Sequence, residues 1–107
     1  MKRTCGLQCA VTIALALMVI GESAAADRLR GRGIAQRWCS ECHVVAPGQL
    51  HGSDTVPTFA QIAESERFDE ASLSAFLAAP HHSRMPNLSL TRTEIADLVA
   101  YIKSKQP

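Results

Sequence analysis

The chain predicts an all-α fold. Three observations carry that expectation: Thr91 and Glu94 form a capping box ahead of an apolar stripe at helical spacing; Asp69 is an N-cap with a hydrophobic staple; and no segment alternates apolar and polar residues long enough for a strand. The elements follow from the amino terminus onward.

Lys2 and Arg3 precede an apolar run from Leu7 to Ile20 and the small residues Ser23, Ala24, Ala25 and Ala26. That order of charge, apolar stretch and A-x-A site is the pattern of an exported leader, with the cut expected after Ala26. The run is shorter than the ~20 apolar residues of a bilayer-spanning helix, which disfavours an uncleaved anchor. Cys5 and Cys9 do not sit at the carboxyl end of the run, so no lipid anchor and no membrane attachment are expected after cleavage. The expected organisation is a leader over 1–26 and one domain over 27–107, in the bacterial periplasm. Removing 26 of the 107 residues leaves 81, near the lower limit for a self-sufficient apolar core. A domain of that size calls for a disulfide, metal or cofactor to complete it.

A helix is expected from Leu29 to Trp38, although Gly31 and Gly33 each cost ~1 kcal/mol against alanine in a helix interior. Such glycines call for a reason, and close approach by another backbone is one. From Val44 to Pro57, Pro47, Gly48, Gly52 and Pro57 break any periodicity, so this segment reads as a loop. A brief helix follows from Thr58 to about Glu64. Asp69 then caps a helix in which Phe68 and Leu73 are spaced as a staple, and Leu73, Phe76 and Leu77 share one face. It stops near Ala79, because Pro80 disfavours helical geometry in the residue before it. After an irregular stretch from His81 to Leu90 comes the last helix, with Ile95, Leu98, Val99 and Ile102 as its buried stripe and Tyr101 beside it. Lys103 and Lys105 suit the negative end of its dipole.

Beyond the leader there are nine basic and nine acidic residues, so the domain has no net field to draw it to nucleic acid or anionic lipid. Arginines 28, 30, 32 and 37 cluster near the new terminus, and Glu64, Glu66, Asp69 and Glu70 cluster mid-chain. Such clusters are ordinarily solvated faces, and either one is also suited to orienting a redox partner.

Chemistry concentrates in Cys39-Ser40-Glu41-Cys42-His43. Two thiols with two residues between them can add across the two vinyl groups of a haem, and the next residue supplies an imidazole for the iron. A thioredoxin-type disulfide would need a βαβ setting that this chain lacks, and the histidine spacing matches no common zinc module. With His43 on one face of the iron, Met85 is the candidate for the other, since it is the sole thioether beyond the leader and sits between Arg84 and Pro86 in an irregular segment. His81 and His82 are its rivals, whereas His51 reads as an exposed loop residue. A histidine with a methionine raises the iron potential and fills both axial positions.

These positions resemble a small class I c-type cytochrome, over about Arg30 to Lys105. The run from Gly31 to Cys39 is similar to that family's first helix, Asp97-Leu98-Val99-Ala100-Tyr101-Ile102 to its closing helix, and Met85-Pro86-Asn87-Leu88 to its methionine loop. The resemblance implies three to four helices wrapped around one haem c held by Cys39 and Cys42, with Gly31 packed against Tyr101. It further implies a Pro57 carbonyl that receives the Nδ1 proton of His43. Pro47 is the rival for that role. Ala35 departs from the family, standing where many relatives place an aromatic, and Trp38 is the residue available to cover the helix crossing or the haem edge. Arg84 and Arg37 are candidate partners for the haem propionates.

The function so implied is a monohaem electron carrier, not an enzyme, working as a monomer between redox partners such as a dehydrogenase, a bc-type complex or a terminal oxidase. Two rivals have their own signatures. A gas- or peroxide-binding sensor or enzyme would need an open iron face, and a fixed subunit of a dehydrogenase complex would co-purify with a large partner.

Overall fold

A computed structural model describes residues 25–79 and 88–107. Within them are four helices and no strand: α1 (Arg28–Trp38), α2 (Phe59–Glu64), α3 (Glu70–Ala78) and α4 (Arg92–Lys103). Each begins at a residue whose side chain takes up backbone N–H groups that the first turn leaves without helical partners. Asp27 accepts from Leu29 and Arg30, and Asp69 from Ser72. Thr58 with Gln61, and Thr91 with Glu94, make complete capping boxes. Hydrogen bonds from the side chain and backbone of Ser72 hold the Asp69 carboxyl below its ordinary value. The α3 cap therefore contributes above that ordinary range and fades as the pH falls through the lowered value. Ala79 turns extended, at ψ 136°, and ends α3 before Pro80.

Helix α4 is the hub, with α1, α2 and α3 all packed against it. Its stripe is buried as its periodicity requires: Ile95, Leu98, Val99 and Ile102, joined by Tyr101. The core they form also takes in Ala35, Cys39, Val45, Phe59 and Ala63. At the α1–α4 crossing a Cβ on Gly31 would lie 2.0 Å from the Asp97 carbonyl oxygen and 2.9 Å from the Cβ of Tyr101. The helix glycine is thus the residue that lets the two backbones touch. Gly33 is different, because nothing lies within 4 Å of the position its Cβ would take. No close approach explains it, and Gly33→Ala is expected to stabilise the protein by about 0.5–1 kcal/mol through the helix propensity gained, read as a rise in the thermal midpoint.

Trp38 does not fill the crossing. Ala35 is fully buried there, whereas Trp38 is 51% exposed with the Arg37 guanidinium 5.5 Å from its ring centroid. The core instead takes in Phe59, whose ring lies 6.3 Å from that of the equally buried Tyr101. Small Ala35 therefore fits the crossing beside a phenylalanine contributed by a different helix. Lys103 of α4 reaches Glu70 of α3 at 3.3 Å, and Lys105 places its ammonium 4.5 Å from the Tyr101 ring centroid. Glu70 is thus drawn out of the mid-chain acidic cluster into a surface pair worth about 1 kcal/mol at most.

Candidate functional site

Residues 39–43 close α1 and turn directly out of it. The Cys39 N–H still donates to Ala35 O, and Cys39 O then accepts from both Cys42 N (3.3 Å) and His43 N (2.9 Å). This tight turn holds the two thiols and the imidazole together at the end of one helix. Cys39 is buried and Cys42 exposed, and neither is in a disulfide. Burial, aided by the charge of Cys42, pushes the Cys39 thiol up to about 11. A thiol reacts as its thiolate, so burial and the raised value both disfavour reaction at Cys39 in the closed fold.

The loop that follows is tied back onto this turn. Ser53 N donates to Cys42 O at 2.8 Å, and Phe59 N to Val44 O at 3.0 Å. Gly48, at φ 82°, takes the left-handed backbone that favours glycine and reverses the chain just before Gln49. The Gln49 side chain then occupies the middle of the loop: Oε1 accepts from Val45 N at 2.9 Å, and Nε2 donates toward the carbonyls of Ser40 (3.0 Å), His43 (2.8 Å) and His51 (2.7 Å). Tyr101 reaches in from α4 and donates its hydroxyl to Val45 O at 2.6 Å, a buried bond spanning 56 residues of sequence. The closing helix is therefore bonded to the loop beside the histidine.

His43 Nδ1 lies 2.5 Å from Pro57 O. A carbonyl oxygen only accepts, so Nδ1 carries the proton, and in the neutral imidazole the lone pair is left on Nε2. Phe59 packs its ring 5.6 Å from the imidazole centroid, with its own other neighbour Tyr101, so the three rings run inward in sequence. Beside Pro57 a cleft is lined by Ile62, Phe68 and Leu73 together with Gln61, Ser65, Arg67, Asp69 and Ser72. Ile62, Phe68, Leu73, Leu77 and Leu90 all pack on the core yet stay only partly buried, Phe76 is 50% exposed, and α3 buries no residue at all.

That geometry fits a large, flat, apolar group attached at Cys39 and Cys42: two free thiols, an imidazole with Nε2 available, and a bordering set of apolar side chains not yet covered. Of the residues named from the sequence, Cys39, Cys42, His43 and Pro57 come together in space, whereas Pro47 has no bond to the histidine. Met85, His81, His82 and Arg84 lie outside the described residues. His51 is exposed, and its carbonyl is bonded by Gln49.

Gln49 is a residue of the site that the sequence alone does not mark, since a loop glutamine carries no periodicity. Gln49→Ala strips partners from several carbonyls and one amide around His43, and is expected to cost about 2 kcal/mol, measured by urea unfolding of the haem-loaded protein. Asp97, marked in the sequence only as part of the closing helix, is the other such residue. Its signal was available, because it lies four residues before Tyr101 and so on the same side of α4.

Comparison with known proteins agrees with this arrangement. The cytochrome c family model matches residues 29–106. The chain is 45% identical over 98 residues to cytochrome c-552 of Bradyrhizobium diazoefficiens, a match covering 89% of this chain and 93% of that protein. No solved structure matches significantly. A helical chain whose CxxCH turn is backed by apolar side chains, matched over most of its length by such a family, belongs to the cytochrome c family: it is a small class I c-type cytochrome that carries one haem c through Cys39 and Cys42 and moves electrons between redox proteins.

Proposed function

We propose that this cytochrome is exported, loses its leader after Ala26, and works in the periplasm as a monomeric carrier whose iron is held by His43 on one side and Met85 on the other. The observation that carries the axial assignment is the contact of His43 Nδ1 with Pro57 O. It fixes the tautomer and ring direction, so that His43 would present a more basic Nε2 to the iron of a bound haem. Haem supplies the one-electron chemistry. The protein's part is to hold the Nε2 lone pair in place, to keep water from the iron with Phe59 and the apolar rim, and to leave one haem edge for a partner. Making and breaking of bonds in a substrate has no part in this reading. The donor and acceptor are proteins of the dehydrogenase, bc-complex or terminal-oxidase kind.

Met85 supports the second ligand through its chemistry and place in the chain: it is the sole thioether beyond the leader and is followed by Pro86. The test is the oxidised and reduced absorption spectrum of the exported protein, after acid extraction of non-covalent haem. Retained haem with a methionine-to-iron charge-transfer band is expected. Met85→Ala should abolish that band, lower the potential and let carbon monoxide bind the reduced iron. An unchanged potential would move the ligand to His81 or His82, and carbon monoxide binding to the unaltered protein would favour a gas-binding role.

A further inference from the structure

Among the described residues Asp97 is the charged side chain buried in the core, at 2% exposed. Its Oδ1 accepts the backbone N–H of Asp27 at 2.6 Å, across 70 residues of sequence. Its Oδ2 is equally buried and has no hydrogen-bond partner. An ionised carboxylate offers about four acceptor sites, and one peptide N–H cannot meet them. Leaving a buried acceptor unpaired is costly, more so when it is charged. A partner with several protons, placed where the Asp27 nitrogen already sits, would complete the site.

Hydrolysis of the Ala26–Asp27 bond makes that partner. Water is consumed: the peptide C–N bond breaks, the water oxygen bonds to the Ala26 carbonyl carbon, which departs on the leader as a carboxylate, and both water protons end on the Asp27 nitrogen, giving an ammonium with three N–H groups. We propose that the mature amino terminus at Asp27 is itself the ligand of Asp97: the α-ammonium bonds both carboxylate oxygens, and leader removal converts an under-satisfied buried acid into a charge-assisted clamp between α1 and α4. This inference rests on the reading that the leader is cut after Ala26.

Position matters to this clamp. Asp27 is also the N-cap of α1, with its own carboxylate on Leu29 N at 2.9 Å and Arg30 N at 3.1 Å. Gly31, one turn on, packs against the Asp97 carbonyl. Retaining Ala26 would shift the ammonium by one residue, roughly 3.5 Å along the chain, and return a single peptide N–H to Asp97. Cutting after Asp27 would remove the cap. Ala25 and Ala26 are exposed at a cleft whose other wall is Ala100, Lys103, Ser104 and Gln106, so nothing in the core holds the leader stub.

The test uses haem-loaded proteins of defined start. Intact mass and amino-terminal sequencing of the naturally exported protein first locate the cut; a start other than Asp27 overturns the processing reading and with it the clamp in the natural protein, whereas the defined starts that follow test the pairing itself. Next, proteins beginning at Asp27 and at Ala26 are compared in urea, each with Asp97 and with Asp97→Asn. The Asp27 start is expected to favour the folded state by about tenfold or more over the Ala26 start, and the advantage should shrink below about twofold with Asp97→Asn. Equal stability of the two starts overturns the proposal. Should Asp97→Asn not fold, reductive methylation decides: the Asp27 α-amine should be modified far more slowly than Lys103 and Lys105, and the Ala26 α-amine at an ordinary rate. An Asp27 amine as reactive as that of Ala26 also overturns it.

Discussion

Replacing both attachment residues, Cys39→Ser with Cys42→Ser, is expected to yield a chain that retains no haem on acid extraction and scarcely folds after export. The reason lies in how little apolar surface the helices cover without the cofactor. Among the described residues the core consists of Ala35, Cys39, Val45, Phe59, Ala63 and the inward side of α4. The third helix buries no residue, and the Leu73, Phe76 and Leu77 face that its sequence periodicity marks as core stays half-covered. Side chains of this kind are worth ~1.5–3 kcal/mol each when fully buried, and small domains have only ~5–15 kcal/mol of stability in total. Losing the group that covers them therefore removes a large share. Far-UV circular dichroism of the purified variant is the measurement. A stable helical product without haem would show that the helices need no cofactor.

Gly31→Ala carries the second large effect. Its Cβ would meet the Asp97 carbonyl oxygen at 2.0 Å and the carbonyl carbon at 2.5 Å, both backbone atoms that have no rotamer to yield. The α1–α4 crossing must open by about an ångström, which disturbs the bond between Asp27 N and Asp97 and strains the Tyr101 hydroxyl bond to the loop beside His43. Overpacking of this kind costs about 3 kcal/mol, a drop of roughly 10–20 °C in the thermal midpoint of a domain this size. The contrast with Gly33→Ala, two residues away and expected to stabilise, is the internal control. A Gly31→Ala protein as stable as the parent would mean that the crossing is loose.

Both expectations concern glycines and cysteines that the sequence already marks, yet the sequence distinguishes them unevenly. Four caps at Asp27, Thr58, Asp69 and Thr91, and the stripe of α4, are local: an N-cap bonds its own first turn, and a helical period shows within a dozen residues. The CxxCH turn is local too, since its chemistry depends on residues no more than four apart. For that reason helix positions, the all-α class and the haem attachment pair were legible without a structure. Gly31 and Gly33 look alike in composition and spacing; the family resemblance singles out Gly31, and the approach of α4 from 66 residues away shows why that one must be glycine and the other need not be. The sequence puts forward Trp38 for the helix crossing or the haem edge; the packing instead buries Phe59 and leaves Trp38 half in solvent.

What the sequence by itself determined is therefore the set of short-range facts: an exported-type leader pattern, four helices with the caps of two of them at Asp69 and Thr91, and two thiols and an imidazole with the spacing for a haem. Only the tertiary structure decided the partners of those groups. It brought Pro57 O to His43 Nδ1, placed Gln49 across the loop, bonded Tyr101 to Val45, and buried Asp97 beneath the nitrogen of Asp27. Each is a bond or contact between residues whose separation in sequence bears no relation to their distance in space. Such pairings are set by which faces must leave water together, and that is a property of the whole packed chain rather than of any segment of it.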